Sequence, residues 1–180
     1  MIVDTSVLVC IHDGEPEARR YLEVLLDEPS PRISAGSLLE ASIVLDARQP
    51  LRTSRRLDRL VADLRLDAVP VDEQQVAAAR AAYRDYGRGS GHAAGLNFGD
   101  CFAYALAATT GEPALFTGDD FTHTDVLPVL LQGPGHHREV GHHHPVLVLE
   151  VVAVQDVASA IALDRHEHLG ARGRADVDAA

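Results

Sequence analysis

Lysine is absent from this 180-residue chain: all 16 basic residues are arginine. That absence removes whole classes of chemistry. A P-loop needs its lysine at the phosphates, and Schiff-base catalysis needs a lysine amine. Tryptophan is missing as well, methionine occurs once, and aromatic residues make up 4% of the chain. The only two cysteines, Cys10 and Cys101, both fall in apolar stretches. They read as small buried hydrophobes in a reduced cytosol, not as a disulfide pair. No apolar run is long enough to span a bilayer. Asp4 breaks the first one before it can act as the hydrophobic part of a secretion signal. The expectation is a cytoplasmic protein with no membrane partner.

Positive charge is scarce. A net charge of −11 argues against a wholly basic nucleic-acid binder. It leaves room for a nuclease whose acidic site is masked by a cation. What is present is ordinary for a globular domain: 46% hydrophobic and 24% charged residues. A chain of this length can bury one substantial core.

The stretch that organises the chain is Leu96-Asn97-Phe98-Gly99-Asp100-Cys101-Phe102-Ala103-Tyr104-Ala105-Leu106-Ala107. After Asn97 it predicts a helix with an almost wholly apolar body, which belongs in the middle of a domain. Asn97 fits an N-cap, and Asp100 three residues on fits the same capping pattern. Upstream, Met1-Ile2-Val3 reads as a short strand with Asp4-Thr5-Ser6 at its carboxyl end. In open α/β sheets that is the end where ligands bind. A buried helical turn over 7–11 follows, then a helix opened by Glu15-Pro16-Glu17. Residues 31–35 read as a second strand. Ser37 and Glu40 fit a capping box at the head of the next helix. Residues 51–66 form an amphipathic helix with Leu57, Leu60, Val61 and Leu64 on one face. Residues 68–71 are a short strand. The helix over 72–86 is expected to turn Val76, Ala79 and Tyr83 inward.

Gly87 to Gly95 reads as a loop. Its Gly89-Ser90-Gly91-His92-Ala93-Ala94 is a loose dinucleotide fingerprint, rejected because no strand precedes it. Ala114-Leu115-Phe116-Thr117 is a strand, followed at once by Gly118-Asp119-Asp120-Phe121. This alternation implies a short parallel sheet with helices on both faces.

Each acidic residue has an ordinary explanation as a cap or turn. Their joint placement says more. Asp4 and Asp119 follow strands; Glu40 and Asp100 lie near helix starts. If those edges meet, three or four carboxylates share a pocket. Two carboxylates about 4 Å apart repel by ~4 kcal/mol at an effective dielectric of 20, which favours protonation or a bound cation. An oxygen-only donor set suits Mg²⁺ or Mn²⁺. Such an ion activates water and stabilises charge on a phosphate.

Four blocks now stand in order: Asp4-Thr5-Ser6; Ser34-Ala35 through Glu40-Ala41; Asn97-Phe98-Gly99-Asp100-Cys101 with Ala103 to Ala107; and Phe116 to Phe121 with Thr124-Asp125. Together they resemble the PIN-domain toxins of VapC type over roughly residues 1–130. The core-helix block is the most specific of the four. The resemblance implies a PIN-like α/β fold, a homodimer and a Mg²⁺-dependent endoribonuclease, with Mn²⁺ as a substitute ion. It maps metal ligands onto Asp4, Asp100 and Asp119, with Glu40 as a further acidic catalytic member. Thr5, Ser6, Asn97 and Thr117 would support the site by hydrogen bonding, and Asp120 would substitute for or assist Asp119. It also implies a VapB-type antitoxin that covers the groove and inserts a basic side chain. Arg52, Arg55, Arg56, Arg84 and Arg88 are the candidate RNA contacts, although such arginines more often form a solvated face.

The resemblance accounts for 1–131 as the nuclease domain. A Gly/Pro/His-rich linker is expected over 132–145. Seven of the ten histidines lie from His136 onward, and a polar low-complexity tract is the favoured reading over a metal site. Residues 146–180 form an atypical extension, with an apolar run to Val154, a helical stretch over 156–169 and a disordered end. Two other functions compete. A haloacid-dehalogenase-like phosphatase would use Asp4 as nucleophile, but it wants a second Asp where Ser6 stands, and a lysine. A non-catalytic PIN-fold binding protein would keep the fold without the reaction.

Overall fold

The computed structural model describes residues 1–48 and 50–129. The expectations for the 132–145 linker and the 146–180 extension lie outside the described residues. The fold begins with two residues, β1 (Ile2–Val3), which leads directly into α1 (Thr5–Asp13). There follow α2 (Ala18–Asp27), β2 (Arg32–Ser34), α3 (Ala35–Asp46), α4 (Pro50–Asp63), β3 (Asp67–Val69), α5 (Glu73–Tyr86), α6 (Asp100–Thr110) and β4 (Ala114–Leu115). A turn of 3₁₀ helix at Asp120–His123 follows β4.

All the strand pairs are parallel, in the order β3-β2-β1-β4. The strands are short, yet they sort the core. Successive side chains on a strand point to opposite faces, so Ile2 and Ala114 enter one apolar cluster while Val3 and Leu115 enter the other. The first cluster is roofed by α6, with Leu96, Ala103, Leu106 and Ala107 buried beneath it. The second gathers α1, α2, α3 and α4 through Leu8, Tyr21, Leu25, Leu45, Leu57 and Leu64. Helices therefore cover both faces, as the alternation of strands and helices predicts. Cys10 and Cys101 are buried free thiols, and burial pushes both to about 11.

The strand order fixes where a site can form. From β1 the chain moves out through β2 to β3, then returns to pair β4 on the other side of β1. The carboxyl ends of β1 and β4 thus flank the point where the winding reverses, the usual ligand crevice of an open α/β sheet.

Three local expectations need correcting. Helix α3 starts at Ala35, capped by Ser34, whose side chain accepts from the Gly36 N–H at 3.3 Å. Ser37 is buried inside the helix, so the Ser37–Glu40 capping box does not form. Glu40 falls in the second turn and is left for another role. On α5, Val76 is 56% and Tyr83 46% exposed, while Gln75 and Ala82 are buried. Of the three residues predicted to face inward, Val76 and Tyr83 thus face solvent, while Ala79 is partly buried and packs with Ala82 against the cluster that α6 roofs. Pro16 sits in the turn before α2 rather than in its first turn.

Candidate active site

Asp4 caps α1. Its Oδ2 accepts from the Ser6 N–H at 2.9 Å and from the Ser6 hydroxyl at 2.6 Å. Its Oδ1 is buried with no hydrogen-bond partner among the described residues. The same Ser6 hydroxyl accepts from the Thr117 N–H at 3.1 Å, tying the exit of β1 to the exit of β4. Thr117 therefore contributes through its backbone. Burial drives the Asp4 carboxyl above its ordinary 3.8 and the charge of Glu40 adds to this, against the Ser6 hydrogen bonds, which lower it.

Glu40 reaches the same place from α3. The Thr5 hydroxyl is shared between Glu40 Oε2 at 2.8 Å and the Ser37 carbonyl oxygen at 3.0 Å. The Glu40 carboxylate lies directly against the α-carbon of Gly99, in the space a β-carbon would fill. Glycine at 99 thus admits Glu40 to the head of α6.

Asp100 is held there by reciprocal capping. Asn97 Oδ1 accepts from the Gly99 N–H at 2.6 Å and the Asp100 N–H at 3.1 Å, while Asp100 Oδ2 accepts from the Asn97 N–H at 2.6 Å. The capping expected from the sequence is present, and it aims the carboxylate as well as starting the helix. Burial pushes Asp100 up to about 6; the Asn97 hydrogen bond and Arg88 oppose this, while the charges of Asp4 and Asp120 add to it.

The four acidic residues are not equally placed. Asp4, Glu40 and Asp100 are linked by burial, contact or charge as described. Asp119 is exposed, and its carbonyl accepts from the Thr122 N–H and hydroxyl at 2.9 and 2.6 Å. Of the adjacent pair, Asp120 is the one whose charge acts on Asp100. Among the described residues no three His, Cys, Asp or Glu side chains stand in a ready ligand cluster.

The arginines divide. Arg88 is the candidate RNA contact whose charge bears on Asp100. Arg84 is paired with Asp85 at 2.8 and 2.9 Å. Arg56 acts instead on His12 at the far end of α1. Arg55 is exposed on α4. The Arg52 side chain lies outside what the structure describes. One residue escaped the sequence reading: Tyr104, one turn beyond Asp100, donates to Asp125 Oδ1 at 2.6 Å. The signal was available, since a phenol in an otherwise apolar helix needs a polar partner.

The PIN-domain family model matches residues 1–127. The chain belongs to the PIN-domain family. Within it, this PIN domain is of the VapC type. It is 50% identical over 128 residues to Ribonuclease VapC42 of Mycobacterium tuberculosis, a match covering 71% of this chain and 98% of the relative. It is equally 50% identical over 130 residues to Ribonuclease VapC28 of the same organism, covering 72% and 98%. The fold agrees with solved structures of the family. These include Mycobacterium tuberculosis VapC20, a sarcin–ricin loop cleaving toxin, at a TM-score of 0.56 and 18% identity, over 71% of this chain and 97% of that one. A toxin–antitoxin complex from Klebsiella pneumoniae matches at 0.54 and 17%, over 71% and 95%. Among its described residues this PIN domain has no helix long and apolar enough to cross a membrane.

Proposed function

We propose that this PIN domain is a Mg²⁺-dependent endoribonuclease, the toxin of a pair whose antitoxin is of VapB type. The observation that carries the metal reading is the buried, unpartnered Asp4 Oδ1, set beside Glu40 and a half-buried Asp100 whose carboxyl is pushed up to about 6. Buried anionic oxygen without a donor is costly, and a hard divalent cation relieves that cost. Asp4 and Asp100 would hold the ion, with Glu40 beside them and the Asp119–Asp120 turn completing the set. When bound, the ion would supply activated water and charge stabilisation at the phosphate. The chain's own residues do the rest. Ser6 fixes the Asp4 carboxylate, Thr5 fixes Glu40, Asn97 fixes Asp100, and Arg88 offers a cation to the RNA backbone beside the acidic centre. The kinship with VapC ribonucleases supports RNA as the substrate.

The antitoxin reading has support on the surface. Leu39 and Ile43, which flank Glu40 on α3, are 61% and 60% exposed, and Phe98, in the turn before α6, is 75% exposed. An apolar rim around an acidic centre fits a helix with an apolar face and one basic side chain. The exposed Val76 and Tyr83 on α5 suit the second copy of a homodimer.

The deciding experiment is cleavage of total cellular RNA by the full-length protein with Mg²⁺, with chelator, and with Asp100→Asn in parallel. Discrete cuts that need Mg²⁺ and disappear in the variant are expected. Folded protein that never cuts would replace this reading with the non-catalytic binding protein.

A further inference from the structure

The acidic turn after β4 is a loop held at both ends. Thr117 is pinned to Ser6 at one end. At the other, the Ala114 N–H donates to the Leu127 carbonyl and the Val129 N–H to the Ala114 carbonyl, both at 2.8 Å. Between these pins the chain turns at Gly118, whose φ of +78° suits glycine, passes Asp119 and Asp120, and buries Phe121. Beyond these pins, Ala114, Phe121 and Val126 share an apolar cluster with α6, the helix that carries Asp100. Non-directional apolar packing brings the turn to the helix without fixing how far apart their carboxylates stand; a directional contact is needed for that.

We propose that the Tyr104–Asp125 hydrogen bond is that contact, a positioning clasp that sets the spacing between Asp100 and the Asp119–Asp120 turn and thereby tunes the affinity of the site for a divalent cation. Tyr104 is four residues after Asp100 and lies on the same face of α6. Its ring is buried, and its hydroxyl donates to Asp125 Oδ1 at 2.6 Å, the short distance of a charge-assisted bond. Burial and the Asp125 charge both push the phenol pKa upward, so it remains a donor. The ring is itself backed by Tyr86 on α5, with centroids 5.8 Å apart. Asp125 is thus assigned away from the ligand set. It is a carboxylate used to hold other carboxylates, as outer hydrogen bonds orient the groups at a metal site.

The inference rests on the Mg²⁺ reading above, and the test separates the two. Full-length protein is titrated with MgCl₂ while the melting temperature is followed, for wild type, Tyr104→Phe, Asp125→Ala, the double variant and Asp125→Asn. Tyr104→Phe and Asp125→Ala should each raise the half-saturating Mg²⁺ concentration about tenfold. The double variant should go no further, and Asp125→Asn, which still accepts the bond, should recover most of the loss. A Tyr104→Phe protein with the wild-type midpoint overturns the clasp, as do two single effects that multiply in the double variant. Hydrogen exchange without metal gives the independent readout. The Thr122 and Thr124 amides, which donate to Asp119 and Phe121, should exchange faster in Tyr104→Phe. If wild type ignores Mg²⁺, the metal reading fails, and unchanged exchange in Tyr104→Phe sinks the clasp with it.

Discussion

Replacing Asp100 by asparagine should make the protein more stable while disabling it. The Asp100 carboxyl is pushed from 3.8 up to about 6, chiefly by burial, with Asp4 and Asp120 adding to it. A folded-state value above the unfolded one means that the fold binds the extra proton. The stabilisation from this group is complete below about pH 4 and is lost as pH rises through about 6. At neutral pH the folded chain therefore carries an ionised carboxylate at a cost. Each pKa unit corresponds to ~1.4 kcal/mol, so the interval has a ceiling of about 3 kcal/mol. Asp100 is only half-buried, and solvent screening reduces the expected gain to about 1–2 kcal/mol. Asparagine keeps an oxygen for the Asn97 N–H, so the cap survives. Thermal melts in chelator at pH 7.5 should show the variant about 3–6 °C higher. The difference should shrink towards zero near pH 4, and added Mg²⁺ should raise wild type alone. A variant less stable than wild type at pH 7.5, or a gain that ignores pH, would refute the electrostatic reasoning.

Further outcomes follow from other contacts. Gly99→Ala places a β-carbon where the Glu40 carboxylate lies; displacing Glu40 should slow RNA cleavage about 10–100-fold, measured as initial rate. Burial holds His12 below its ordinary 6.5, and the charges of Arg56 and Arg48 lower it further against Asp13. Because its folded value is depressed, the stability it confers is present above pH 6.5 and lost as pH falls. His12→Gln should flatten urea-derived stability between pH 7 and 5, and an unchanged slope would contradict this. Leu106 of α6 is fully buried; Leu106→Ala should cost about 2–5 kcal/mol in a denaturant melt.

Much of the fold was legible because its signals are local. Ile2-Val3 and Ala114-Leu115 are apolar pairs closed by turn residues, and the small apolar body of α6 could belong only in a core. The four acidic positions were visible as the residues that break those apolar runs. What stayed hidden depends on neighbours distant in sequence. Helical spacing gathers Val76, Ala79 and Tyr83 on one side of α5 but does not say that the buried face runs through Ala79 and Ala82 and leaves Val76 and Tyr83 out. Ser34 and Ser37 both make acceptable caps, and only the end of β2 chooses between them. Asp119 and Asp120 are adjacent and both exposed, so the sequence alone does not rank them, and it is the charge of Asp120 that bears on Asp100. The Thr5 bond to Glu40 spans 35 positions, and no periodicity announces it.

The central place of β1 also has a consequence in time. Among the described strands, the earliest in the chain, β1, pairs with the latest, β4. The Ser6 hydroxyl waits for the Thr117 amide, 111 residues later. At roughly 5–20 residues per second, translation separates these two partners by roughly 6–20 s. Throughout that interval Ser6 can cap Asp4, but the Thr117 amide that ties Ser6 to the end of β4 is missing. A stalled or truncated product ending before β4 carries Asp4, Glu40 and Asp100 but lacks the Asp119–Asp120 turn. The architecture thus defers assembly of the acidic centre until β4 joins the free edge of β1 and brings the Asp119–Asp120 turn with it.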